Sequence, residues 1–406
     1  MIQRLLILPI LCLLSMALVG CGDANKKTGL ILSSELAKSQ MLELIDPRLN
    51  WAEKNSNFMV QTFDANWQVV PTESVESYSQ ARQVYLFAKG YDVTQENRYL
   101  NAMVESADVM LITMFDDTKV LWHSSINRYN TDKRYGPKEY STSFAIFAMA
   151  HAYRVSKDKR YLEAALKTWM LGDVSVGLTL AREAQQANLT PTFTNTWSIN
   201  PLMHLFEALL VLYDVTQSPS VWQDIEFIAQ FIEDELIQKQ GFLAENYVNV
   251  NVPLTISEGG YVELGHQVEW AYLLHSAIDK GLDSHFRNVA ERLYDYAMKT
   301  GWDDQSGSLA ARSDYDGNLI VTAPVWWAQA ELMRLTAYSV NKNEDLDYSV
   351  RIFSKSMAFV VNEYVDQFNG GWLSERQSKR SRIQLNKVIG YHTVGMYDNK
   401  VKIQSL

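Results

Sequence analysis

Histidine is the side chain whose unperturbed pKa, about 6.5, already lies at working pH, so the surroundings of each histidine are the first guide to chemistry. His266 stands in Gly265-His266-Gln267-Val268-Glu269-Trp270. On a helix Glu269 falls one turn along, close enough to fix the tautomer and orientation of the ring. His392 follows Gly390-Tyr391, and His204 lies in Asn200-Pro201-Leu202-Met203-His204-Leu205-Phe206-Glu207. With Asn200 four residues before it and Glu207 three after, His204 suits contact with a ligand hydroxyl better than proton transfer. Trp326-Trp327-Ala328-Gln329-Ala330-Glu331 adds aromatic faces, an amide and a carboxylate. One tryptophan can point inward at a given helical angle, and Trp327, with Glu331 a turn below, is the expected one. Two histidine bases and Arg82 as a fixed cation suit proton movement on carbon next to a carbonyl, where the cation holds the developing negative charge. Glu263 and His266 make half of a di-iron carboxylate motif with no second copy, and no phosphate-cradling glycine loop occurs, so no metal and no other cofactor is expected. His123, His151, His275 and His285 fall off these positions and read as surface or packing residues.

A repeat is what would bring these residues together. Val93-Thr94-Gln95-Glu96-Asn97-Arg98-Tyr99-Leu100 is echoed by Val155-Ser156-Lys157-Asp158-Lys159-Arg160-Tyr161-Leu162, and weaker copies end at Trp222, Phe286 and Tyr348. The separations are 62, 60, 64 and 62 residues, and so even a period marks one supersecondary unit used many times. Before each repeated turn lies a stretch apolar nearly all round, at 81–90, 144–153, 205–212, 268–278 and 328–337; after it comes a stretch with one charged face. Stretches of the first kind bury themselves and those of the second lie outside. The expected fold is therefore all-α: six inner and six outer helices in alternation, an (α/α)6 barrel. Short β-like segments at 120–129, 241–252, 309–321 and 371–388 fall in the long loops entering inner helices, where they would wall one end. Counting back about eighteen residues from each repeat position reaches the start of an inner helix. Arg82, Tyr140, His204, His266, Glu269, Trp327, Gln329 and Glu331 lie at or beside those starts, and a sixth start near Gly390 adds His392.

The 406 residues carry a net charge of -10, which argues against nucleic acid as a partner, and their 11 Trp and 21 Tyr favour a neutral sugar. Arg4 is the one charge before an apolar run at 5–19 that is too short for a spanning helix. Residues 1–20 read as a signal peptide. Leu18-Val19-Gly20-Cys21 resembles a lipobox, which makes Cys21 the lipidated first residue of the mature chain and 21–33 a tether. Cys12, the other cysteine, would leave with the leader, so thiol chemistry is excluded from the mature fold. Residues 34–406 show no linker composition and read as one domain, monomeric because a core of this size needs no partner. A lipid-anchored protein facing the periplasm is expected. Gly22, standing where an acidic residue would favour the inner membrane, tilts the expectation to the outer one.

The motifs around His204, His266, the Trp326-Trp327 pair and His392 resemble, in type and order, those of the N-acylglucosamine 2-epimerase superfamily, with its cellobiose 2-epimerases and aldose-ketose isomerases. The resemblance spans about 74–397. It implies that His266 and His392 transfer protons, that Arg82 lies near the sugar C1 and C2 oxygens, and that Glu269 is the carboxylate beside the first histidine. It also implies that Tyr140, Asn200, His204, Trp326 and Trp327 line the sugar pocket, joined here by Gln329 and Glu331. Ala323-Pro324 departs from the basic residue of many relatives, which leaves the sugar open. The implied activity is a carbohydrate 2-epimerase working through an enediolate, with aldose-ketose isomerisation as the near alternative. A glycoside hydrolase or lyase using Glu269 and Glu331, or a non-catalytic sugar-binding lipoprotein, would use the same barrel differently.

Overall fold

The computed structural model describes residues 33–129, 133–134, 138–172, 178–179, 182, 196–377 and 385–403. The expected leader and Cys21 lie outside the described residues, as does nearly all of the tether. Among the described residues there are twelve α-helices. In chain order they are α1 (Ser34–Asn55), α2 (Ser77–Thr94), α3 (Asn97–Met114), α4 (Lys138–Ser156), α5 (Lys159–Leu171) and α6 (Ile199–Thr216). There follow α7 (Pro219–Phe231), α8 (Leu264–Ile278), α9 (Phe286–Gly301), α10 (Trp326–Lys342), α11 (Leu346–Glu363) and α12 (Tyr391–Val401).

Burial sorts them as the hydrophobic pattern requires. In α6 every residue from Leu202 to Leu210 is buried, and in α8 every residue from Leu264 to Ala271. The outer α9 buries only Phe286, Val289, Ala290, Leu293, Tyr296, Ala297 and Gly301, a single helical stripe. The even-numbered helices form the inner ring, each packed on the next, and α12 returns to α2. The sixth outer place is filled by the first helix: α1 packs along α12, and Ser34 Oγ donates to the Val401 carbonyl at 2.8 Å. The (α/α)6 barrel thus closes by joining the two ends of the described chain.

The repeat has a backbone cause. Gln95, Lys157, Gln217, Gly281 and Asn343 each precede a repeat position by five residues, and all five have positive φ, at 59°, 61°, 52°, 117° and 57°. They follow the inner helices as left-handed residues that end the helical run; the Gln95, Lys157 and Gln217 N–H groups donate to the carbonyls of Tyr91, Tyr153 and Tyr213. Four of the five carry a side chain that this conformation disfavours. Lys157→Gly is accordingly expected to stabilise the fold by about 0.5–1 kcal/mol, read as a raised urea midpoint at unchanged slope.

At the N-terminal ends of the inner helices, short sheets build the wall. The strands Ser74–Glu76, Thr196–Ser198 and Val262–Glu263 run directly into α2, α6 and α8. Each pairs antiparallel with a strand of a later loop, Ser125–Asn127, Asn246–Val248 and Arg312–Ser313 respectively. The last loop, before α12, is pinned from beneath. Buried Lys387 bonds Asp366 Oδ2 at 2.7 Å and the Gly370 carbonyl at 2.6 Å, and Arg48 of α1 donates to the Val388 carbonyl at 2.6 Å. Those contacts set where α12, and so His392, begins.

Candidate active site

His266 lies in the first turn of α8, and its Nδ1 is 2.7 Å from Glu245 Oε2. Glu245 is itself held on three sides. Its Oε1 accepts from Ser198 Oγ at 3.0 Å, its carbonyl accepts from the Ile199 N–H, and its own N–H donates to the Tyr261 carbonyl. The expectation that Glu269 orients this ring is corrected: a carboxylate from the loop before α8 does so, because Glu269 points to the barrel axis. Burial alone would lower the His266 pKa, but the charge and hydrogen bond of Glu245, with Glu263 behind, raise it above the usual value. On the other ring nitrogen, Asn200 Nδ2 stands 3.5 Å from His266 Nε2. Asn200 Oδ1 is buried with no hydrogen-bond partner among the described residues.

His392, in the first turn of α12, has its Nδ1 2.8 Å from Glu331 Oε1. Burial, helped by the positive charge of Arg82, pushes this imidazole well below the usual range. Burial also raises Glu331, to about 7, against the pull of Arg334, whose Nη1 lies 3.3 Å from Glu331 Oε2. A neutral imidazole donating Nδ1–H to Glu331 leaves Nε2 with a free lone pair. The environments of the two histidines therefore push in opposite directions, which is the usual way an acid and a base are told apart in one site.

Between them stands Trp327, its ring centroid 5.0 Å from that of His266 and 5.6 Å from that of His392. Room for it comes from Gly265, where an added Cβ would lie 2.5 Å from the indole. Trp326 also meets His392, edge-on at 5.7 Å, so both tryptophans reach the site rather than one. Opposite, Arg82 of α2 donates to Tyr140 Oη at 2.8 Å and lies over Phe144 at 4.6 Å and Tyr391 at 5.0 Å. None of the ion pairs among the described residues uses Arg82, so its charge is available to an oxyanion.

Beneath this layer lies a buried charge network. His204, packed on Phe144 at 4.6 Å and Tyr140 at 5.2 Å, has Nδ1 3.5 Å from Glu207 Oε2. Burial lowers the His204 pKa in spite of Glu207. Glu207, which burial would raise, is held down to about 2 by His204, Arg334 and the Tyr391 hydroxyl that bonds it. The charge that a metal ion would bring between Glu207 and Glu331 is already supplied by Arg334, 3.3 Å from an oxygen of each. Gln329 requires a correction. Its fully buried amide accepts from the Leu309 N–H at 2.9 Å and donates to the Leu309 carbonyl at 2.8 Å, tying the wall to α10 rather than lining a pocket. Of the four remaining histidines, His123, His151 and His275 are packed in the interior and His285 is exposed.

Glu245 is the group that reading the sequence by helix position missed. A signal for it exists: it is the only charged residue in the otherwise uncharged and largely apolar loop 241–252, which belongs to the wall of the mouth.

A closed ring of six helix pairs, with two oppositely tuned imidazoles and an unpaired guanidinium at one end, defines an (α/α)6-barrel protein equipped for acid-base chemistry. The chain belongs to the N-acylglucosamine 2-epimerase (GlcNAc 2-epimerase) family, which it matches over residues 58–396. It is 26% identical over 215 residues to the D-mannose isomerase of Marinomonas mediterranea, a match covering 48% of this chain and 53% of that protein. With the cellobiose 2-epimerase of Ruminococcus albus it shares 24% over 269 residues, 58% of this chain and 62% of that protein. The chain thus matches between half and two thirds of the length of these curated relatives. A crystal structure of D-mannose isomerase has the same fold, with a TM-score of 0.76 at 19% identity, covering 92% of this chain and 99% of that one.

Proposed function

We propose that the protein is a carbohydrate 2-epimerase acting on an aldose, or on the reducing end of an oligosaccharide, through an enediolate. The observation that carries this reading is the pair of buried imidazoles flanking Trp327, one stripped of charge by burial and Arg82, the other charged by Glu245. In the open-chain sugar His392 Nε2 takes the proton from C2, and the electron pair moves onto the carbonyl oxygen beside Arg82. His266, protonated, returns a proton to C2 from the other face, and the carbonyl reforms. Asn200 and Tyr140 are placed to hold hydroxyls, and the two indoles to cover an apolar sugar face. The D-mannose isomerase relative motivates the second reading, in which the proton returns to C1 and a ketose forms. A hydrolase would instead use Glu269 and Glu331 as its carboxylate pair, but Glu331 is engaged by His392 and Arg334. A non-catalytic binding protein would leave two oppositely tuned histidines without a use.

The test is product analysis in D2O with glucose, mannose, N-acetylglucosamine and a β-1,4 disaccharide. Deuterium at C2 of an epimeric aldose is expected. A ketose as the dominant product transfers the assignment to the isomerase, and hydrogen retained at C2 throughout removes the mechanism.

The envelope setting is part of the same proposal: residues 1–20 a leader, Cys21 lipidated, 21–33 a tether, and 34–406 one catalytic domain held at the periplasmic face and anchored to the outer membrane by lipid. Among the described residues no helix is long and apolar enough to cross a membrane. Cys21→Ala is expected to move the protein from the detergent phase to the soluble fraction, and unchanged partitioning defeats the anchor.

A further inference from the structure

The flank of the mouth carries a cavity that the histidine site does not use. Its volume is about 520 Å³, within the range of small-ligand sites, and it lies between the second half of α9, the turn at 239–241 after α7 and the turn at 315–317 of the wall. The floor is aromatic and fixed. The Tyr296 hydroxyl lies 3.1 Å from Ser313 Oγ and donates to the Asp314 carbonyl at 3.1 Å. The Tyr315 hydroxyl donates to the Leu254 carbonyl at 2.6 Å, and its ring stacks on Phe242 at 5.4 Å. Gly241, at a φ of 94°, lets its turn lie directly on α9: an added Cβ there would stand 3.3 Å from the Arg292 carbonyl. Around the rim are Lys239, Arg292 and Lys299 with Asp295 and Asp316, all exposed. Asp295 comes three residues after Arg292 and four before Lys299, spacings at which helix ion pairs form readily. Yet none of the five rim charges joins an ion pair among the described residues, whereas Arg287 of α9 and Arg351 and Lys355 of α11 all do.

We propose that this cavity binds an acidic glycan, the three cations holding a sugar carboxylate, the two aspartates accepting from its hydroxyls and the tyrosine rings covering its apolar faces. The rim has one positive charge in excess, in a chain whose net charge is -10. A phosphate chain would set several negative charges against Asp295 and Asp316, whereas a uronate unit brings one charge and several hydroxyls. The turn at 315–317 joins the wall strands Arg312–Ser313 and Leu319–Val321, and the first of these pairs with the strand that enters α8. A glycan held here therefore lies at the same end of the barrel as His266. Its use, keeping chains close whose reducing ends the mouth processes, rests on the functional reading above; the binding itself does not.

Calorimetry of the full chain with oligogalacturonate, a neutral cello-oligosaccharide and inorganic phosphate tests it. Oligogalacturonate is expected to bind more tightly than the other two, to lose affinity as salt rises, and to bind at least about tenfold more weakly to the double variant Lys239→Glu/Lys299→Glu. Both lysines are exposed and stand outside the catalytic machinery, so the double variant should keep the wild-type melting temperature and the wild-type turnover of a small aldose. No binding of oligogalacturonate, binding of the neutral chain or of phosphate as tight as its own, or an affinity unchanged in the double variant overturns the site. Wild-type chain that binds oligogalacturonate through these lysines but turns over no aldose overturns the functional reading and the use drawn from it, and leaves the site standing.

Discussion

His392→Asn is expected to lower turnover by about 10^2-fold or more with sugar affinity much less affected, because proton transfer from a positioned base contributes on that scale. Asparagine is small enough to keep an N–H near Glu331 Oε1, now 2.8 Å from His392 Nδ1, so the Glu331–Arg334 pair below it keeps its cap. What it lacks is a lone pair where Nε2 stood. His266→Asn should cost a similar factor, since its imidazole lies on the other side of Trp327. The two variants separate by isotope exchange. In D2O the variant that keeps the abstracting base still washes the C2 hydrogen out of the starting sugar at a residual rate, whereas the variant without it does not. Near-normal turnover of both on a confirmed substrate would falsify the proton-transfer assignment. Arg82→Ala, by contrast, should weaken binding and turnover together, because its guanidinium also orders Tyr140 at 2.8 Å.

How far the site was legible follows from which contacts are local. The repeat could be read because a left-handed residue recurs just after five of the inner helices, and Gln95, Lys157, Gln217, Gly281 and Asn343 keep that place. Residues at inner-helix starts could be read because the repeat puts them at one end, and Arg82, Tyr140, His204, His266 and His392 are brought together there. Partners could not. Glu269 and His266 are one turn apart on α8, yet the ring takes its bond from Glu245, twenty-one residues away and just before a strand whose register depends on pairing with Thr196–Ser198. Gln329 shares a helix with Trp327 but serves the Leu309 backbone, twenty residues back, for the same reason. The place of α1 was also hidden, since it pairs with α12 across the whole chain and carries no copy of the repeated turn.

Glu245→Gln is expected to move the alkaline limb of kcat/KM to lower pH while leaving the acid limb in place. His266 acts as the proton donor, so activity is lost as pH rises through its pKa; His392 acts as the acceptor, so activity is lost as pH falls through its own. In the wild type the His266 value is raised, because Glu245 outweighs burial, and the His392 value is depressed by burial and Arg82. The wild-type window therefore opens on both sides of the ordinary imidazole value, with a raised alkaline limb and a depressed acid limb. Glutamine can still accept the Nδ1–H bond and remain tied to Ser198, but it carries no charge. Burial then dominates, with only Glu263 still raising His266 and Arg312 lowering it. The alkaline limb should fall by about one pH unit or more, so that the loss relative to wild type is about tenfold at about pH 8 and much smaller at about pH 6. Any loss of stability from the substitution would depress the profile at both pH values, whereas the loss of charge depresses one side only. An alkaline limb that stays where it was would mean that His266 is not the group that returns the proton.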